Sequence, residues 1–163
     1  MKTFFRLKTA LLALALLSVA FTSCEKDDKD NEPDKTSLLT EKSWKMTAAT
    51  IDPAIDWLGS GTKITNLYAQ FPACVKDDLI IFKKNGTVSF DEGGSKCDTN
   101  DPQTENALWS FNPAETVISI TQDGGTESWK VLELSTSKLV VEYEEFDEFE
   151  GITYTITITN VKQ

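Results

Sequence analysis

The 163-residue sequence contains no histidine. Histidine is the commonest general base and a common zinc ligand, so its absence excludes histidine-dependent triads and most zinc sites. Basic residues are also few, with 16 lysines and arginines against 26 acidic residues and a net charge of -10. Nucleic-acid binding depends on basic side chains at phosphates, so that class of partner is disfavoured. We therefore predict a protein that is not an enzyme and has no cofactor, metal or nucleic-acid partner.

Glycine and proline are scarce, at eight and five residues, which excludes a collagen-like or low-complexity chain. Long apolar runs are scarce too. The run at residues 10–20 is little more than half of the about 20 residues that a transmembrane helix needs. Three basic residues precede this run, and the small residues Thr22 and Ser23 follow it. The pattern predicts a secretory signal peptide over residues 1–23 rather than a transmembrane anchor.

The segment Phe21-Thr22-Ser23-Cys24 resembles the lipobox of bacterial lipoproteins, although leucine is commoner than phenylalanine at its first position. An ordinary cysteine is the alternative, but an unpaired thiol would be a liability in an oxidising compartment. The resemblance implies that Cys24 carries acyl chains, which hold the protein on the outer membrane at its periplasmic or cell-surface face. Residues 25–35 contain six acidic and three basic residues and no apolar one. We predict that residues 24–36 form an acidic flexible tether.

A period of two dominates the chain from Trp44 onward. In residues 152–159 large apolar side chains alternate with threonine, so one face of that strand is buried and the other is wet. Similar runs are separated by turn residues, without a long helical pattern between them. The pattern predicts an all-β antiparallel sandwich or barrel with little helix, limited to a turn or two at residues 36–41 and 64–71. The eight predicted strands are residues 44–51, 79–83, 87–91, 107–112, 116–122, 126–134, 138–146 and 152–159.

Two local features bear on strand register. The hairpin at Asn85-Gly86 allows a two-residue turn or a three-residue loop with a left-handed glycine. The longer loop pairs Phe82 with Val88 and gives a cleaner apolar face, so we predict that register. Further along, adjacent Val131 and Leu132 break the alternation, which predicts a β-bulge.

Cys74 and Cys97 remain when Cys24 is assigned to the lipid anchor. Either hairpin register is expected to bring their two sulfur atoms close together. An even number of cysteines in an exported domain favours a structural disulfide, while a redox pair would be expected to have CxxC spacing. A closed loop of this length is expected to contribute about 3 kcal/mol to stability.

The hairpin and its cysteines also suggest a family. The pattern Cys74-x-x-Asp77-Asp78-x-x-x-Phe82-x-x-Asn85-Gly86-Thr87-x-x-Phe90, followed by Cys97, Trp109 and Trp129, resembles the lipocalin-like domains of bacterial envelope lipoproteins. The resemblance covers roughly residues 38–162. The resemblance implies an eight-stranded up-and-down barrel, which we expect over residues 37–163. Members of this family have no established enzymatic activity, and their ligand is usually unknown.

Two functions follow from these expectations. We expect a monomer in either case. In the first, a lipid-anchored envelope protein holds a small hydrophobic ligand within its barrel. In the second, the barrel is filled, and the protein is a non-catalytic interaction module whose loops contact a protein or glycan. Cavity volume separates the two functions. The candidate ligand-binding residues are Trp44, Trp57, Tyr68, Phe71, Trp109, Trp129 and Tyr143.

Two segments stand outside the strand pattern. Residues 52–73 have little strand character but many apolar side chains, and would form either a lid over the barrel or a plug in its end. Residues 142–150 contain six acidic side chains. That cluster could bind calcium or a basic partner, although a solvated loop is the commoner role of such a composition.

Overall fold

The computed structural model describes residues 34–40 and 42–163. The predicted signal peptide, Cys24 and most of the predicted tether lie outside these residues. None of the described helices has the length and apolar character needed to cross a membrane. The elements are α1 (Lys35–Thr40), β1 (Ser43–Ile55), β2 (Ile64–Asn66), a 3₁₀ turn (Tyr68–Gln70), α2 (Ala73–Lys76), β3 (Leu79–Phe82), β4 (Thr87–Asp91), β5 (Thr104–Phe111), β6 (Val117–Gln122), β7 (Gly125–Leu134), β8 (Lys138–Asp147) and β9 (Ile152–Lys162).

The strands form one antiparallel sheet that closes on itself. Its order is β2-β1-β3-β4-β5-β6-β7-β8-β9, and β1 also pairs with β9. The closing ladder runs from the pair Trp44–Lys162 to the pair Asp52–Thr155. Strands β1 and β3 to β9 therefore make the predicted eight-stranded up-and-down barrel, and β2 is an additional short strand on β1.

The segment around β2 differs from the sequence prediction. Strand β1 continues to Ile55, four residues beyond the predicted end, and includes Asp52 and Pro53. Aspartate and proline are poor strand formers, which is why the sequence pattern ends early. Residues 64–66, which we predicted to be helical, instead form β2 and pair with the second half of β1. Only the 3₁₀ turn that follows matches the helical expectation.

Both predicted register features are confirmed. Phe82 pairs with Val88 in the β3–β4 hairpin, and the Lys83 amide donates to the Thr87 carbonyl at 2.8 Å. Gly86 has a φ of 83°, the left-handed conformation that the three-residue loop requires. In the β7–β8 ladder the register shifts between Val131 and Glu133, which is the predicted bulge.

One end of the barrel is filled and closed. Helix α1 lies there, and the Leu39 carbonyl accepts a hydrogen bond from Trp44 Nε1 at 2.8 Å. The helix begins at Lys35, two residues before the predicted domain boundary at 37, and the Asp34 carboxylate caps it by accepting from the Ser37 amide. We call the apolar residues at this end the closed-end cluster: Leu39, Trp44, Phe82, Val88, Ala107, Trp109, Ile118, Ile120, Trp129, Leu139 and Val141.

The predicted disulfide lies near the opposite end of the barrel. Cys74 on α2 is bonded to Cys97 in the β4–β5 loop, with a Cα–Cα distance of 5.3 Å. The two cysteines are 23 residues apart in the sequence. The disulfide therefore encloses the whole β3–β4 hairpin in a covalent loop.

Asn160 is the polar exception in the barrel interior. It is 1% exposed, and neither its side-chain oxygen nor its nitrogen has a hydrogen-bond partner among the described residues. An unpaired buried amide costs free energy because it gives up its hydrogen bonds to water.

We expect Asn160→Leu to raise the free energy of unfolding by about 1–3 kcal/mol, because an apolar side chain of similar size removes that cost. Chemical denaturation measures the change. Thr159→Val, at the neighbouring and partly exposed position, serves as the control and should change stability little. A loss of stability in Asn160→Leu would show that the amide is hydrogen-bonded in solution.

Candidate functional site

The other end of the barrel, which we call the mouth, contains an open pocket of about 430 Å³. Strands β1, β8 and β9, the β1–β2 loop and the segment after β2 form its wall. The pocket is mainly apolar but has acidic residues on one side. Its lining residues are Ile51, Ile55, Trp57, Leu67, Glu145, Phe146, Asp147, Glu148, Phe149, Tyr154 and Ile156.

The floor of this mouth pocket is a second buried cluster, composed of Ala49, Ile51, Leu67, Tyr154 and Ile156. Alternation explains the contribution of β9, because Tyr154 and Ile156 are two residues apart and face the interior together. The rim is exposed instead. Trp57 is 47% exposed and Phe149 is fully exposed. A buried apolar floor below an exposed aromatic rim is suited to a small hydrophobic molecule.

The β8–β9 turn is held by its own side chains. The Tyr154 hydroxyl donates to Glu150 Oε2 at 2.5 Å, and this hydrogen bond raises the pKa of Tyr154 to about 12. Asp147 Oδ1 accepts from the amides of Phe149 and Glu150 at 2.7 and 3.0 Å. These bonds fix the position of the turn that carries the Phe149 side of the rim.

The sequence of residues 40–141 matches the lipocalin-like domain family, which is more than half of the chain. This protein belongs to the lipocalin-like domain family. Its β9 lies beyond the matched region but completes the barrel through its pairing with β1. No curated protein matches the chain by sequence.

Solved structures similar to this lipocalin-like protein include bovine odorant-binding proteins. The protein from bovine nasal mucosa is 17% identical with a TM-score of 0.43, and 83% of this chain and 77% of that chain are covered. The complex of bovine odorant binding protein with undecanal is 16% identical with the same TM-score and coverage. A deswapped triple mutant of the bovine protein is 16% identical with a TM-score of 0.42, covering 78% and 75% of the two chains.

The seven aromatic residues predicted to bind ligand do not lie together in the lipocalin-like barrel. Trp57 alone lines the mouth pocket. The other tryptophans, Trp44, Trp109 and Trp129, belong to the closed-end cluster. Alternation identifies residues that face the interior but does not give their height along the barrel axis. For that reason the sequence could not separate filled and open levels of the interior.

The remaining three predicted residues lie near the mouth. Tyr68 and Phe71 pack against the cluster below the pocket, and Tyr143 contacts both apolar clusters. The segment at residues 52–73 thus contributes to both the floor and the rim of the mouth pocket. Leu67 is part of the buried floor, as a plug would be, and Trp57 stands at the rim, as part of a lid would.

Sequence reasoning missed most of the pocket wall, including Ile51, Tyr154 and Ile156. The signal was present, because these residues belong to the apolar faces of β1 and β9, which adjoin each other in the closed barrel. Ile51 pairs directly with Ile156. A closed barrel implies that its first and last strands pair, but the register of the β1–β9 ladder, which sets Ile51 beside Ile156, was not available from the sequence.

Strands β7 and β8 separate near the mouth. Their ladder ends at Lys130–Glu142, where the two side chains form an ion pair of 2.9 Å. Beyond this pair, β7 remains paired with β6, and β8 remains paired with β9. The separation leaves a cleft of about 520 Å³, the β7–β8 cleft, lined by Thr126, Glu127, Ser128, Lys130, Glu142, Tyr143 and Glu144.

Tyr143 lies in this cleft between negative charges. Burial raises the pKa of Tyr143 to about 12, and the charges of Glu127 and Glu145 act in the same direction. Both carboxylates are therefore close enough to act on its hydroxyl. At pH 7 Tyr143 is a neutral phenol.

Calcium binding was one alternative for the acidic segment at residues 142–150. Within the described part of the chain, no group of three or more histidine, cysteine, aspartate or glutamate side chains is arranged to hold a metal ion. Several of the carboxylates have structural partners instead. Glu142 pairs with Lys130, and Glu150 accepts from Tyr154.

Asp77 and Asp78 precede β3 and have opposite environments. Asp77 accepts a hydrogen bond from Ser95 Oγ at 2.9 Å, which lowers the pKa of its carboxyl. Asp78 Oδ1 is buried without a partner among the described residues. Burial and then the charge of Glu92 raise the pKa of Asp78 to about 6.

Because the pKa of Asp78 is higher in the folded protein than in the unfolded chain, protonated Asp78 favours the folded state. This contribution to the free energy of unfolding is complete below the unfolded pKa of 3.8 and is lost as the pH rises through about 6. Asp78→Asn should therefore stabilise the protein above pH 7. We expect roughly 1 kcal/mol, less than the full pKa shift would give, because solvent screens a partly exposed group.

Denaturation between pH 4 and pH 8 tests this prediction. Asp77→Asn is the matched control and should lose stability at pH 7, because it weakens the hydrogen bond to Ser95. A destabilised Asp78→Asn at pH 8 would contradict the prediction.

Proposed function

We propose that this protein is a lipid-anchored envelope protein that binds a small hydrophobic ligand in its mouth pocket. The observation that carries the proposal is an apolar pocket of about 430 Å³ with a buried floor, open to solvent at one end of the barrel. That volume lies in the range typical of small-molecule sites. Membership in the lipocalin-like family is consistent with binding small hydrophobic molecules.

The alternative, an interaction module with a filled barrel, has partial support. The closed-end cluster fills one end of the interior, including the level of Trp44 and Trp109. The other end remains hollow. A hollow mouth favours the ligand-binding function over the filled module.

The proposed absence of catalysis follows from composition. The chain has no histidine. Tyr143 and Tyr154 both have a pKa of about 12 and remain protonated near neutral pH, so neither is suited to act as a general base there. The function that we propose needs only binding.

Binding is tested with a neutral fluorescent probe, N-phenyl-1-naphthylamine, and with 1-octanol as competitor. We expect probe fluorescence to rise with the protein and to fall when octanol displaces the probe. Trp57→Ala should weaken probe binding about tenfold, because part of an aromatic contact is lost. Trp57 is half-exposed, so the variant should fold normally.

Leu108→Ala is the control for that variant, because Leu108 is an exposed apolar residue on a barrel strand outside the mouth pocket. It should leave probe affinity unchanged. Absence of probe binding to the unmodified protein, or equal losses in both variants, would contradict ligand binding in this pocket.

Anchoring is tested separately by expressing the full chain in a Gram-negative host. We expect the protein to partition with membranes and to carry a mass increase of acyl chains on Cys24. Cys24→Ala should abolish both, whereas Thr22→Ala, which keeps a small residue before the cysteine, should not. A membrane-free protein of unmodified mass would contradict the proposed anchor.

A further inference from the structure

The charged side chains that line the mouth pocket are acidic. Its lining includes Glu145, Asp147 and Glu148, and no lysine or arginine is among the described residues that line it. The Asp147 carboxylate is occupied by two backbone amides of the β8–β9 turn. The Glu145 carboxylate, which lines the pocket, makes no side-chain hydrogen bond or ion pair with any described residue, so its charge is available at the pocket wall.

Strand register brings a second carboxylate toward Glu145. Glu127 lies two residues before the buried Trp129 and therefore shares its inward face. Extension of the β7–β8 ladder by three residues beyond Lys130–Glu142 would place Glu127 directly opposite Glu145. Like charges in that position are destabilising, which gives a physical reason for the end of the ladder and for the β7–β8 cleft.

The strands on the far side of the mouth carry a third inward-facing carboxylate. Glu105 lies two residues before the buried Ala107 on β5 and hence also faces inward. It accepts a hydrogen bond of 3.4 Å from Gln122, which is neutral. The interior is therefore apolar at its floor and acidic at its opening.

Building on the proposed ligand-binding function, we infer that the mouth pocket selects amphiphiles with a cationic head group. The apolar chain lies on the floor formed by Ile51, Leu67 and Ile156, and the head lies between Glu127 and Glu145. A positive charge there offsets the repulsion between the two carboxylates. Tyr143 adds an aromatic ring beside the head group, a surface that favours ammonium ions. A fatty-acid anion of the same length would place its carboxylate beside the like charges of Glu127 and Glu145.

Three ligands of equal chain length separate these contributions: octyltrimethylammonium, 1-octanol and octanoate, each titrated into the purified protein below its micelle concentration. We expect the ammonium compound to bind about tenfold more tightly than octanol and octanoate to bind about tenfold more weakly, a typical scale for partly screened charge interactions. The difference between ammonium and octanol should shrink at 1 M salt, where the Debye length is about 3 Å.

The variant Glu127→Gln/Glu145→Gln removes both charges with little change in shape. It should bind octanol as the unmodified protein does and lose most of the preference for ammonium. The control Glu115→Gln/Glu133→Gln changes the net charge equally at side chains that do not line the mouth pocket or the β7–β8 cleft. It should retain the preference. Thermal unfolding of both variants checks that each is folded.

The outcomes distinguish this inference from the proposed function beneath it. If octanol does not bind, the pocket is not a site for hydrophobic ligands and the proposed function fails. If octanol binds but ammonium has no advantage, or if Glu127→Gln/Glu145→Gln keeps the full preference, the charge selection alone is overturned. Octanoate binding more tightly than ammonium would also overturn it.

Discussion

Pairing between β1 and β9 is the constraint on which the rest of the structure depends. It joins the first and last strands of the fold and converts an open sheet into a barrel. Only in the closed sheet do Ile51 and Ile156 stand side by side as the floor of the mouth pocket. Such a ladder links residues far apart in sequence, so its formation carries a loop-closure cost that the buried interior must offset.

The two ends of the barrel differ because β1 changes partners. At the closed end β1 pairs with β3, and bulky side chains fill the interior. Trp109 packs edge-to-face against Phe82, and Trp44 is buried against helix α1. At the mouth β1 pairs with the short β2 instead, while β7 and β8 separate. The mouth therefore has less continuous strand pairing and more open space than the closed end. The fold thus combines a filled core and an open pocket in a single sheet.

Much of the fold could be predicted from the sequence, because local patterns determine strands and hairpins. Alternation located the eight barrel strands, the glycine at position 86 specified the hairpin loop, and the adjacent Val131 and Leu132 specified the bulge. The pocket could not be predicted to the same degree. Its wall depends on contacts between β1 and β9 and on the height of each residue along the barrel, and neither is encoded in a local pattern. Aromatic content was a poor guide for the same reason, since large rings fill cores as well as line sites.

The described chain begins and ends at the closed end of the barrel. Lys35 Nζ donates to the Glu115 carbonyl in the β5–β6 turn, and the Gln163 amide donates to the Ser43 carbonyl at the start of β1. Both ends of the folded chain therefore leave the barrel opposite the mouth. A dye, an affinity tag or a solid support joined directly at either end of the folded domain would leave the route into the pocket clear. The barrel can thus be immobilised by its base and offered compounds from solution.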